Sequence, residues 1–138
     1  MKTSNYPSWL VSVEQAKKLK ELGFDIECAL FYDDILKEIS FDEEYVSLIN
    51  WNQKNFTKCI SLPAWEKVLE WFRRKNLIGW VECQCNPEME YYIRIVSKGV
   101  NLYLKGRREH YNSYEEARNV LLNELILLYK ESYENNKI

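Results

Sequence analysis

The run "KGRREHYNSYEEARNVLL", residues 105–122, sets Lys105, Arg107, Arg108 and the chain's single histidine, His110, just ahead of a helix start. Cations before a helix N-terminus suit an anion, because free amide donors and the positive end of the dipole point at it. Ser113 and Glu116, however, form an S-x-x-E capping box, and Glu115 and Glu116 place negative charge in the first turn. A helix capped by its own carboxylates is a poor phosphate site, so the run reads as a solvated basic loop with His110 at its surface. Cys83-Gln84-Cys85 is C-x-C, which on a strand points both thiols to one face. Their Cα atoms would then lie roughly 6.5 Å apart, wide for a disulfide. Zinc would require Cys28 or Cys59 to converge on that pair, without the tight paired spacing such sites show. The four cysteines therefore read as reduced thiols, mostly small buried hydrophobes. Asp33 and Asp34 are adjacent rather than on facing elements, so they solvate instead of sharing acid–base work. With only four glycines the chain has no P-loop, no G-x-G-x-x-G and no nucleophile elbow. The expectation is a non-enzymatic protein with no catalytic residue, metal or cofactor.

Three surfaces remain as binding candidates. Tyr92, Arg94, Lys98, Tyr103, Lys105, Arg107 and Arg108 interleave aromatics with cations, a set that on a sheet face stacks bases and holds phosphates. Asp33, Asp34, Glu38, Asp42, Glu43 and Glu44 form an acidic stretch opposed by one base, Lys37, and suited to a basic groove on a protein partner. Leu122, Ile126, Tyr129 and Tyr133 make a second apolar stripe on the last helix, beside the stripe of Ala117, Val120, Leu121, Leu125 and Leu128. That helix is either sandwiched between two layers or offers a dimer face, and the sandwich is favoured.

Composition bounds what holds these residues. The 138 residues amount to one domain, 1–138, which buries roughly 68–70% of its unfolded surface. Residues 1–10 and 134–138 read as frayed ends. A net charge of −2 argues against coating nucleic acid by bulk charge. No run approaches the ~20 apolar residues of a membrane span, and the first fifteen residues hold no apolar signal core, so a cytoplasmic protein is expected. Five Trp and ten Tyr are many for this length and need a structural account.

The elements follow from spacing. "SVEQAKKLKELGF", residues 12–24, predicts a helix with Ser12 as N-cap, Gln15 completing a capping box and Gly23 at C′. "CALFYDD" and "EYVSLINW" predict two strands of a hairpin joined by a long acidic connection. "SLPAWEKVLEWFRRKN" predicts a second helix entered through Ser61 and Pro63, with Trp65, Val68, Leu69 and Phe72 on one face. "LIGWVECQC", "MEYYIRIVS" and "VNLYLKG" predict an antiparallel meander with Tyr91, Ile93 and Ile95 on the core face and Tyr92, Arg94 and Val96 on the other. The last helix runs from about Tyr114 to Tyr133. The expected fold is α+β, an antiparallel sheet of hairpin plus meander packed by two to three helices, in the order α-β-β-α-β-β-β-α.

"VSVEQAKKLKELGFDIEC", "ISLPAWEKVLEWFRRK" and "YNSYEEARNVLLNELILL" together resemble small uncharacterised phage and prophage proteins of Bacteroidetes-type bacteria. The shared features are the "EQAKKLKELGF" helix opening, an S-x-P-x-W entry to a helix ending "WFR", and a "YEEA" C-terminal helix. The likeness covers roughly a third of the chain; Ser61, Pro63, Trp65 and Tyr114 transfer as fold markers only. It implies a phage protein in the host cytoplasm, and ranks three roles. First is an anti-defence inhibitor of the anti-CRISPR kind, bound to a host nuclease effector or its guide RNA. A nucleic-acid-binding accessory comes second, and an oligomeric structural component, such as a homodimer, third.

Overall fold

Ser12 opens the first helix, α1 (Val13–Glu21), with a complete capping box: its hydroxyl accepts from the Gln15 amide at 3.1 Å and the Gln15 carboxamide accepts from the Ser12 amide at 3.3 Å. Gly23, at φ 93°, ends it in a Schellman turn, with the Gly23 amide on the Lys20 carbonyl and the Phe24 amide on that of Leu19. Both caps stand where the spacing put them. The computed structural model describes residues 6–41, 48–53, 56, 58–85, 87–97, 100–101 and 110–135. Residues 6–10, expected to fray, are tied down. The Tyr6 hydroxyl donates to the Val11 carbonyl, and Leu10 is buried and bridged to Ala64.

The chain gathers into two compact units, 1–71 and 72–138. In the first, β1 (Leu30–Asp33), β2 (Glu38–Phe41) and β3 (Cys59–Ser61) form an antiparallel sheet in the order β2-β1-β3. The hairpin is tighter than expected. The Asp33 carboxylate accepts from the amides of Ile35 and Leu36 at 2.9 and 3.0 Å, and Lys37 turns the chain at φ 57°. The partner of β1 is therefore 38–41, and the strand pairing of the "SLINW" segment is, among the described residues, a single Cys28–Ile49 bridge. β3 is an additional strand. It takes Ser61 out of the helix entry, since α2 spans Trp65–Arg74. Buried Ser61 instead accepts from the Trp51 amide at 3.0 Å and donates its own amide to the Asn52 carboxamide at 3.0 Å. Three of the five tryptophans serve this core. Trp51 stacks at 4.2 Å on Phe31 and donates to the Cys28 carbonyl, Trp71 meets Phe24 at 5.7 Å, and Trp65 is buried.

The unit boundary falls inside α2, between Trp71 and Phe72. Asn76, at φ 66°, closes α2 with a second Schellman turn: the Leu77 amide bonds the Phe72 carbonyl and the Asn76 amide that of Arg73. In the second unit, β4 (Ile78–Cys85), β5 (Met89–Ser97) and the two-residue β6 (Val100–Asn101) make the expected meander as a separate sheet. α3 (Tyr114–Asn135) starts at Ser113, whose hydroxyl accepts from the Glu116 amide at 3.1 Å. It lies on the face that carries Gly79, Ile93 and Ile95, with Ala117, Leu121, Leu122 and Leu125 buried. The fold class is α+β, with one strand more than expected and two antiparallel sheets in place of one.

Candidate binding surface

Alternation along β4 and β5 splits the second sheet into two faces. α3 covers one; the other carries Ile78, Trp80, Glu82 and Gln84 from β4 beside Val96, Arg94, Tyr92 and Glu90 from β5. Here lie the two members of the basic–aromatic set that the structure describes. The Arg94 guanidinium is held by the Glu82 carboxylate at 3.0 and 3.1 Å, and the Tyr92 hydroxyl donates to Glu90. That hydrogen bond favours the neutral phenol and raises its pKa. Arg94 and Tyr92 are thus each matched to a carboxylate on their own face. His110 is exposed, its ring 6.3 Å from that of Tyr92. Lys98, Tyr103, Lys105, Arg107 and Arg108 lie outside the described residues.

The acidic stretch proves partly structural. Asp33 caps its own turn, and Asp34 pairs with Lys37 at 2.9 Å and Lys17 at 3.4 Å. The Lys37 hydrogen bond, with Lys17 beside it, holds the Asp34 carboxyl below its usual range and raises Lys37 in turn. Glu38 is exposed in register with Asp33, whereas Asp42, Glu43 and Glu44 lie outside the described residues. The proposed oligomer stripe is corrected by burial: Leu122 is 0% and Ile126 8% exposed, and Tyr129 packs edge-on to Phe72. Atoms so enclosed by their own chain offer nothing to a second copy. The Tyr133 side chain lies outside the described set. The thiols divide: Cys28 is buried, but Cys83 and Cys85 are exposed rather than core hydrophobes. Among the described residues no three His, Cys, Asp or Glu side chains group to hold a metal.

Residue spacing alone did not single out the feature that stands out on this face. Trp80 is 41% and Ile78 44% exposed, two large apolar side chains on one strand with Val96 next to them. Tyr91 exchanges both backbone hydrogen bonds with Tyr111 on the far side of β5, which sets the pairing phase of the sheet. Gly79, Val81, Cys83 and Cys85 consequently aim their backbone N–H and C=O groups at the outer edge of β4, where no strand pairs among the described residues. Eight residues of open edge beside an exposed tryptophan form a template for another strand. The signal was present in "LIGWVECQC", where Ile78 and Trp80 alternate in phase with Glu82 and Gln84. No protein-family model, curated protein or solved structure matches the chain.

Proposed function

We propose that the chain is a non-enzymatic binding protein that recognises another protein through the open face and outer edge of β4. One observation carries the reading: Trp80 and Ile78 stand exposed on β4, an eight-residue strand whose outer edge has no partner among the described residues. Strand addition supplies affinity through main-chain hydrogen bonds, and an exposed indole supplies the apolar anchor typical of an interface centre. The resemblance to phage proteins favours a partner among host defence proteins, and with it the role of an anti-defence inhibitor of a nuclease effector. Nucleic acid is the weaker candidate, because Glu82 already neutralises Arg94 and Glu90 engages Tyr92.

The test is capture of partners by tagged protein from a Bacteroidetes lysate, with and without RNase and DNase, comparing wild type with Trp80→Glu. A protein retained after nuclease treatment and lost from Trp80→Glu supports the reading. Partners that vanish with nuclease, or that ignore the Trp80 change, overturn it.

A further inference from the structure

The 1–71 unit holds a second recognition feature, an open cleft of about 120 Å³. Cys28 and Leu62, both buried, line it together with Ala64, while Trp9 and Leu48 stand 56% and 51% exposed around it. Its lining is apolar apart from Lys67. Pockets for cofactors and drug-sized ligands run to roughly 300–1,000 Å³, well above this one. A closed apolar cavity of about 150 Å³ accommodates a benzene ring, so the cleft matches one branched aliphatic or small aromatic side chain. A more than half-exposed indole next to such a cleft has the make-up of a hot-spot anchor.

Lys67 sets the charge of what enters. Among the described residues its ammonium donates only to the Glu27 carbonyl, at 3.2 Å, leaving two of its three donors for a ligand. Its field reaches the cleft lining, where it works against the burial that pushes the Cys28 thiol up to about 11. We propose that this cleft receives one aliphatic side chain of a partner protein's peptide segment, with a neighbouring Asp or Glu of that segment on Lys67. The inference is independent of the β4 surface, since every residue it uses lies in the 1–71 unit.

Acetyl-Asp-Leu-Asp-amide, titrated into the full chain while the Trp9 indole N–H is followed by NMR, tests it. The expected result is a saturable shift, with acetyl-Asp-Ala-Asp-amide and acetyl-Lys-Leu-Lys-amide binding at least about threefold more weakly. Trp9→Ala, a substitution that removes an exposed side chain and is read on the Leu62 methyl resonances instead, should lower affinity about tenfold. The decisive variant is Lys67→Glu, which should reverse the ranking so that the lysine peptide binds better; Lys67→Gln should level it. An unmoved Trp9, equal affinity for the acidic and basic peptides, or an unchanged ranking in both Lys67 variants overturns the proposal. A Trp9 shift that follows protein concentration without peptide also overturns it, in favour of a second copy.

Discussion

Burial acts most strongly on two protons in the first unit, pushing the Cys28 thiol up to about 11 and the Tyr6 phenol up to about 12. Both groups are neutral when protonated and have a higher folded than unfolded pKa. Their contribution to stability is therefore complete below the unfolded values and is lost as pH rises through the folded ones. For Cys28 the window runs from 9.0 to about 11, a ceiling of about 2–3 kcal/mol at ~1.4 kcal/mol per pH unit. Denaturation midpoints measured from pH 8 to 11 should fall steadily in wild type and less steeply in Cys28→Ala, whatever the cavity costs at pH 8. Parallel slopes would mean that the buried thiol has no share in alkaline loss. At this scale the sequence was readable where partners are neighbours: Ser12 with Gln15, Ser113 with Glu116 and Gly23 at C′ all depend on residues within four positions. Ser61 was misread for the same reason. Its serine–proline spacing imitates a helix entry, yet its bonds go to Trp51 and Asn52, ten and nine positions away.

α3 shows what periodicity can decide and what it leaves to packing. Two apolar stripes were evident, but whether the second faced a neighbour or the chain itself depended on contacts no spacing encodes. Burial of Leu122 and Ile126 withdraws both side chains from any second copy. Gly79 marks the close approach on the sheet side: a Cβ there would lie 2.9 Å from the Leu121 Cδ1 and 3.2 Å from the Leu125 Cδ1. Leu122→Lys should consequently cost about 4–5 kcal/mol, comparable to the ~5–15 kcal/mol of a whole domain. Circular dichroism and thermal melting should show a poorly folded chain. A well-folded Leu122→Lys protein of smaller oligomeric size by ultracentrifugation would restore the dimer-face reading. The strands obey the same logic. The β4–β5–β6 meander was legible because its strands are consecutive and its loops short. The first sheet was mispaired because the Asp33 side chain closes a turn that propensity does not show, and because three-residue β3 pairs with β1 from more than twenty-five residues away.

Across the whole molecule the net charge is −2, and among the described residues the ion pairs of Asp34 with Lys17 and Lys37 and of Glu82 with Arg94 cancel charge at one member each of the acidic and basic sets that sequence counting had placed. Counting along the chain cannot see this, since Glu82 and Arg94 are twelve residues apart and meet only through the β4–β5 register. The exposed apolar surface includes Trp9, Leu48, Ile78 and Trp80, and the outer edge of β4 has no partner among the described residues. Binding through such surfaces releases few counterions. A protein neutralising six to ten phosphates loses roughly 10³–10⁵ in affinity between 50 and 200 mM salt. Over that interval the affinity of this chain for its captured partner should change by less than about threefold, measured by titration calorimetry or interferometry on the purified pair. A loss of a hundredfold or more would mean that the cations at 98–108, not Trp80, make the contact, and would return the nucleic-acid reading to first place.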